Sequence, residues 1–485
     1  MVFLHSRGGT DLVSCLWALD VPSGTERLVA DPHQMNLAAG EDDVLEKARR
    51  ERVRESARGI VGFATDRDFT VAAFTLAGRV YLARLRGEPG QPVRELATAT
   101  PAADPRPDPA GALVAYTSGG ELRVTDVASG EDRAIASPEA GETTVSFGRA
   151  EYVAAEEMGR ARGFWWAPDG SAVLAARVDE SPVQRWHIAD PARPEVPGRE
   201  VRYPSAGTGN AAVSAFIVSL AGERTAVRWD HRLFPYLVTA SWAAGPTARP
   251  PLLVVQSRDQ RELRLLSVDP GTGQTTVVRA DTDPAWVDIV AGVPAWTGDG
   301  RIAWTADSTG TRRLVVATPE QHAAGTAEPV TPAGLQVRQV LDTDGDAVLF
   351  TASGEDPAVI GLWLWRPAGL TPLTTINGLG SGRRAGGSTL IATQGLDRTG
   401  TSVTVRRSSD PDGPGIPVAS LAEAPSLPDP RPRLSYGGPR RIRTAIVLPS
   451  WHTPGSARLP VLCDPYGGPH GQRVQAARSA FWTPQ

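Results

Sequence analysis

Trp166-Ala-Pro-Asp-Gly170, followed by Ser171-Ala-Val-Leu-Ala-Ala-Arg177, is the stretch that sets the fold. The Pro-Asp-Gly run predicts a tight turn, and the apolar run after it predicts a strand. Gln184-Arg-Trp-His-Ile188 is then expected as the second strand of the unit. The pattern recurs along the chain, which is the first property to test in a long sequence. Pro107-Asp-Pro-Ala-Gly111 precedes Ala112-Leu-Val-Ala-Tyr116 and then Glu121-Leu-Arg-Val-Thr125. Trp296-Thr-Gly-Asp-Gly300 precedes Arg301-Ile-Ala-Trp304 and a strand from Arg313 to Val316. Leu252–Gln256 with Glu262–Val268, and Asp346–Phe350 with Gly361–Trp365, are further copies.

One such unit is a small sheet that cannot bury both of its faces, whereas units packed radially bury one another. The expected fold is therefore all-β, a propeller of about eight units lying between residues 1 and 430. A pair of β-sandwiches is the alternative, and the regular spacing with recurrent Asp-Gly turns favours the propeller. The first blade is expected to be incomplete, because Val2-Phe-Leu-His5 opens the chain without a preceding turn and pairs onward to Cys15–Asp20.

Composition narrows the class. The chain has 485 residues, 41% hydrophobic and 21% charged, enough for a large core. A net charge of −4 supplies no basic field to recruit nucleic acid. Lys47 is the only lysine. Cys15 and Cys463 stand far apart, and the seven histidines form no ligand-spaced cluster, so neither a metal site nor another cofactor is expected. No apolar run reaches membrane-spanning length, and the N-terminus lacks the pattern of a leader. A reduced, cytoplasmic setting without membrane contact is the expectation.

Two segments break the strand rhythm. Tyr152-Val-Ala-Ala-Glu-Glu-Met-Gly-Arg160 predicts a short helix with adjacent carboxylates, Glu156 and Glu157. Alone, two neighbouring glutamates read best as a solvated acidic surface. Glu41–Arg58 predicts a second helix, acidic at its start and arginine-rich toward its end, which the helix dipole favours; it reads best as a connector. After residue 430 the rhythm changes again. Pro428–Pro432 reads as a linker, Ile442–Leu448 and Leu459–Cys463 as strands, and Asp464-Pro-Tyr466-Gly-Gly-Pro469-His-Gly471 as a glycine-rich loop. A second domain over residues 440–485 is expected to begin there without being completed.

Four motifs together resemble the dipeptidyl peptidase IV-like serine peptidases of the prolyl oligopeptidase clan. They are Ala155-Glu-Glu-Met158 ahead of Phe164–Gly170, Arg202-Tyr-Pro-Ser-Ala-Gly-Thr-Gly-Asn210, Gln256-Ser-Arg-Asp-Gln260, and the Asp464–Pro469 loop. The resemblance implies an eight-bladed propeller followed by the incomplete start of an α/β-hydrolase domain. It implies a peptide substrate with a free N-terminus, whose amine Glu156 and Glu157 hold. It implies that Tyr466 donates to the oxyanion, and that a proline or another small residue precedes the cleaved bond. Some relatives carry an arginine-bearing helix near the glutamate pair, and Arg50-Glu-Arg-Val-Arg54 fits such a helix, with no single arginine carried over. Arg258 and Asp259 are expected to form a structural pair.

The chemistry agrees with these roles. A peptide α-ammonium has three hydrogens, and two carboxylates accept them as charge-assisted hydrogen bonds. Held at a set distance from a nucleophile, such a pair counts residues from the N-terminus. A phenol aimed at a developing oxyanion is among the larger contributions to acyl transfer. The serine of such enzymes sits on a Gly-x-Ser-x-Gly elbow, and no Gly-x-Ser-x-Gly occurs in this sequence. The chain by itself is thus expected to be inactive, with the Ser/Asp/His triad absent, and a homodimer is an option for the intact enzyme only. A stand-alone propeller acting as a binding scaffold is the competing expectation.

Overall fold

The computed structural model describes residues 1–35, 58–86, 93–242, 249–307, 309–375, 377–410, 413–422, 429–468 and 471–481. The expected Glu41–Arg58 helix falls outside the described residues except for Arg58, and so does Pro428 of the Pro428–Pro432 linker. The fold is an eight-bladed β-propeller. The chain divides into two compact units, the first Met1–Arg7 with Asp11–Ile289, the second Gly8–Thr10 with Val290–Gln485.

The first unit carries blades 1 to 5. Blade 1 is Val2–His5, Val13–Asp20 and Thr25–Ala30, with the short Arg58–Gly59 strand running parallel to Val13–Asp20. Blade 2 is Ala64–Thr65, Val71–Leu76, Arg79–Arg84 and Arg94–Glu95, and blade 3 is Ala103–Pro107, Leu113–Ser118, Glu121–Asp126 and Asp132–Ala136. Blade 4 pairs Ala172–Asp179 with Ala212–Ser219 and then Arg224–Ala226. Blade 5 is Tyr236–Ser241, Leu252–Gln256, Glu262–Val268 and Thr275–Thr282.

The Asp-Gly turns explain why the blades form where they do. Asp108 accepts the amides of Ala110 at 3.2 Å and Leu113 at 2.8 Å, folding the chain back onto its own strand. Asp169 does the same for Ser171 at 3.0 Å. Gly111 and Gly170 close these turns at φ of +72° and +74°, where a side chain would be strained. Alternation then sends one face of each strand into the gap between sheets. Leu122, Val124, Phe147, Phe164, Trp166 and Val173 fill the gap between blades 3 and 4. Trp165, Leu174, Phe234, Leu237, Val255 and Leu266 fill that between blades 4 and 5. Each fully buried large side chain contributes about 1.5–3 kcal/mol, so these inter-blade seams hold the unit together.

The second unit carries blade 6 (Ala295–Trp296, Ile302–Ala306, Arg313–Ala317), blade 7 (Gln336–Asp344, Ala347–Ser353, Gly361–Arg366, Gly369–Pro372) and blade 8 (Gly378–Ala385, Ser388–Gly395, Ser402–Arg407, Ile416–Val418). Leu349, Leu362, Leu364 and Ile391 form the core between blades 7 and 8. A separate hairpin, Arg433–Gly437 with Ile442–Ile446, follows blade 8.

Three expectations from sequence are corrected. The segment around Gln184–Ile188 does not join blade 4: Arg185–Ile188 pairs with Arg199–Arg202 in a two-stranded hairpin of its own. Alternation looks the same in an excursion as in a blade, so the pattern could not distinguish them. Trp166, read as the start of a turn, instead ends a strand, Phe164–Trp166, paired with Val173–Ala175. Leu459–Cys463 forms no strand, because no partner strand lies beside it among the described residues, and Val461 and Leu462 are 85% and 84% exposed.

Candidate active site: a glutamate-bearing insertion in blade 4

The two glutamates sit on an insertion into a single strand. Val145–Phe147 and Phe164–Trp166 both pair antiparallel with Ala172–Asp179, at successive positions along it. Residues 148–163 loop out between them. The neck is closed by Gly148 N donating to Ala176 O (2.8 Å), Ala176 N donating to Gly163 O (2.8 Å), and an Arg149–Arg162 bridge. A Cβ at Gly163 would lie 2.4 Å from the backbone of Arg149, so only glycine lets the two arms approach this closely.

Beyond the neck the chain makes one helical turn, Tyr152–Glu156. So short a helix is marginal in isolation, and side chains at both ends fix it. Glu151 is the N-cap, and its carboxylate accepts from Val153 N at 2.6 Å and Ala154 N at 2.8 Å. After the turn, Arg160 is buried and runs two bonds to Leu237 O in blade 5, from Nε at 3.2 Å and Nη2 at 3.1 Å. Its Nη1 donates to Arg162 O at 2.9 Å.

Glu151 and Arg160 are the charged side chains that sequence reasoning missed. Burial raises the Glu151 pKa against the opposing pull of Arg160 and the two backbone amides. Burial likewise brings Arg160 down to about 10, with Glu151 opposing. Each buried charge therefore limits the desolvation cost of the other. The one legible signal was an acid just ahead of a helix, the place for an N-cap.

The structure places Glu156 as the last helical residue and Glu157 at the C-cap, where its amide donates to Val153 O at 2.9 Å. Both side chains are exposed. The helix therefore carries two adjacent, exposed glutamates on a base that is held at both ends. The hairpin Arg185–Ile188/Arg199–Arg202 leans on the same turn. Tyr203 meets Tyr152 edge-on with centroids 5.2 Å apart, and Trp186 meets Tyr203 at 6.0 Å.

Two of the other motifs are tied to each other and to blade 5. Asn210 Nδ2 donates to Tyr236 Oη at 3.0 Å, and Arg258 donates to Thr208 O. The expected Arg258–Asp259 pair is corrected: Asp259 instead accepts from Ser257 Oγ at 2.6 Å and Arg261 N at 3.1 Å. A turn carboxylate satisfied by its own loop has no need of the neighbouring arginine.

Tyr466 belongs to the second unit, in the loop after the hairpin. Its side chain is 52% exposed. The ring lies over its own loop, so that a Cβ on Gly468 would come within 2.7 Å of the hydroxyl and one on Gly471 within 2.7 Å of Cε1. Asp464 pairs with Arg473 across the loop. Gln472 ties it to blade 7, donating to Pro357 O at 2.7 Å and accepting from Arg338 at 3.0 Å. Pro469 and His470 lie outside the described residues. Among the described residues, no cluster of three or more metal-ligating side chains occurs, and no helix is long and apolar enough to cross a membrane.

The fold is thus a propeller whose fourth blade carries an exposed acidic turn on an insertion into one strand. The family follows from comparison with known sequences. Residues 74–366 match the model of the dipeptidyl peptidase IV (DPP IV) N-terminal region, and the chain belongs to that family. Among solved structures it is similar to Porphyromonas gingivalis dipeptidyl peptidase 4, at 17% identity and a TM-score of 0.71, covering 99% of this chain and 70% of that one. It is similar also to a Bacteroides ovatus ATCC 8483 protein assigned as a dipeptidyl aminopeptidase IV, at 19% identity and a TM-score of 0.70, covering 98% and 69%. Membership of the family implies peptide substrates.

Proposed function

We propose that this chain is the propeller and amine-binding part of a serine dipeptidyl peptidase that releases N-terminal dipeptides, with Xaa-Pro as the preferred class. The observation that carries it is the exposed Glu156–Glu157 pair on a turn held at its base by Glu151 and Arg160. Rigidly mounted carboxylates suit a ligand whose position matters. In this reading the two accept the hydrogens of the substrate ammonium, and Tyr466 donates to the oxyanion during acyl transfer.

Residues 1–430 then form the propeller domain, and residues 440–485 belong to an α/β-hydrolase domain. The hydrolytic serine, histidine and acid come from residues other than these 485, which lack the Gly-x-Ser-x-Gly elbow. A reducing, cytoplasmic setting fits the buried, free Cys15 and the exposed, free Cys463.

The test is calorimetry of an Ala-Pro-headed peptide on the chain, with the N-terminus free and acetylated. The free amine should bind at least about tenfold tighter, as expected for charge-assisted hydrogen bonds. Glu156→Ala and Glu157→Ala should each remove most of that preference. Equal binding of the two peptides would reject the amine role.

A further inference from the structure

The neck of the insertion carries a second, cationic feature. Arg162 Nε donates to Phe164 O at 3.0 Å, and its guanidinium carbon lies 5.2 Å from the Trp165 ring centroid. The Nη groups have no acceptor, and Arg162 no ion pair, among the described residues. The carboxylate that acts on it, Asp104, is already taken. Arg106 grips it with both ends of its fork, Nε to Oδ2 at 3.1 Å and Nη2 to Oδ1 at 2.8 Å. Asp104 reaches that position at φ +50°, outside the ordinary backbone region for a side-chain-bearing residue.

Blade 3 brings Arg106 beside this neck, since its carbonyl accepts from Trp166 Nε1 at 3.0 Å. Two guanidinium groups thus feel one carboxylate, and Arg106 alone pairs with it. Burial and then the like charge of Arg106 push Arg162 down to about 9, and Asp104 offsets only part of this. Yet Arg162 is only partly covered, so solvent still reaches it. A partly covered guanidinium without an ion pair among the described residues fits the planar fork of a carboxylate.

We propose that Arg162, supported by Arg106, binds a carboxylate of the peptide ligand at the neck of the blade 4 insertion. Naming a peptide as the carrier rests on the function proposed above; the anion site rests on the arginine geometry. The carboxylate comes either from the C-terminus of a short peptide or from an acidic side chain.

Calorimetry on the full chain separates these sources with three ligands: Ala-Pro-Ala free acid, Ala-Pro-Ala amide and Ala-Pro-Glu amide. The free acid should bind about tenfold tighter than its amide, the size expected for a charged bidentate contact. If Ala-Pro-Glu amide recovers the gain, a side-chain carboxylate also serves; if it does not, the site is specific to the C-terminus. Arg162→Met should erase the acid preference and Arg162→Lys should keep part of it. Equal binding of acid and amide by the unaltered chain overturns the proposal without recourse to any variant. So does an acid preference that survives in Arg162→Met, or a failure of all three peptides to bind. N-acetyl-Ala-Pro-Ala isolates the amine: an acetyl group without effect, alongside an intact acid preference, rejects the glutamate role and leaves the arginine site standing.

Discussion

The blade 4 insertion and the Tyr466 loop are both short, irregular and polar, yet they are built in opposite ways. The insertion is mounted on buried charges: Glu151 caps its helix, and Arg160 fastens its exit to Leu237. The Tyr466 loop is tied at its C-terminal end by Gln472, while Tyr466 itself rests on its own glycines and is half exposed. An exposed side chain can thus be mounted through the folding core or left on a surface loop that rests on itself. The first arrangement should be costly to disturb and the second cheap.

That contrast can be broken most sharply at Arg160. Arg160→Met leaves Glu151 buried without its counter-charge, and should destabilise the first unit by about 3–5 kcal/mol in urea unfolding. A change under about 1 kcal/mol would place the insertion in the same class as the Tyr466 loop. Gly163→Ala comes next. A methyl group placed 2.4 Å from the Arg149 backbone must push the neck apart, at a cost of about 1–3 kcal/mol. Hydrogen exchange should show faster exchange at the amides of Gly148 and Ala176.

Glu151 sharpens the comparison through pH. Its pKa is raised in the folded chain, so the folded state binds the proton more tightly than the unfolded state does. Its contribution to stability is therefore greatest below the ordinary glutamate range and declines as pH rises from that range to the raised native value. Glu151→Gln should flatten this part of the stability–pH profile. The smallest effect is expected at Gly468→Ala. The atoms nearest a new methyl group are the hydroxyl and ring of Tyr466, the far end of a half-exposed side chain that can rotate away, so the cost should stay below about 0.5–1 kcal/mol.

Much of the fold was legible because its cause is local. The Pro/Asp/Gly turns place an aspartate that satisfies its own amides, as Asp108 and Asp169 do, and an apolar strand follows. The interrupted first strand of blade 4 was not legible. Val145–Phe147 and Phe164–Trp166 are too short to show a period, and their continuity exists only through the shared partner Ala172–Asp179. The pair Glu156 and Glu157 stood out as a motif, while Glu151 and Arg160, which mount it, did not. Their importance comes from burial against blade 5, a property of the packed fold that adjacency in sequence does not encode. Leu459–Cys463 failed for a related reason, since an apolar run becomes a strand only beside a partner.

The central claim is that Glu156 and Glu157 grip a positively charged amine. The direct test is the affinity of the chain for an Ala-Pro-headed peptide at about pH 6.5 and about pH 9.5, on either side of the α-ammonium pKa near 8. The account predicts that binding weakens about tenfold or more at the higher pH, and that Glu156→Ala and Glu157→Ala abolish the pH dependence. An affinity that is the same at both pH values would contradict it.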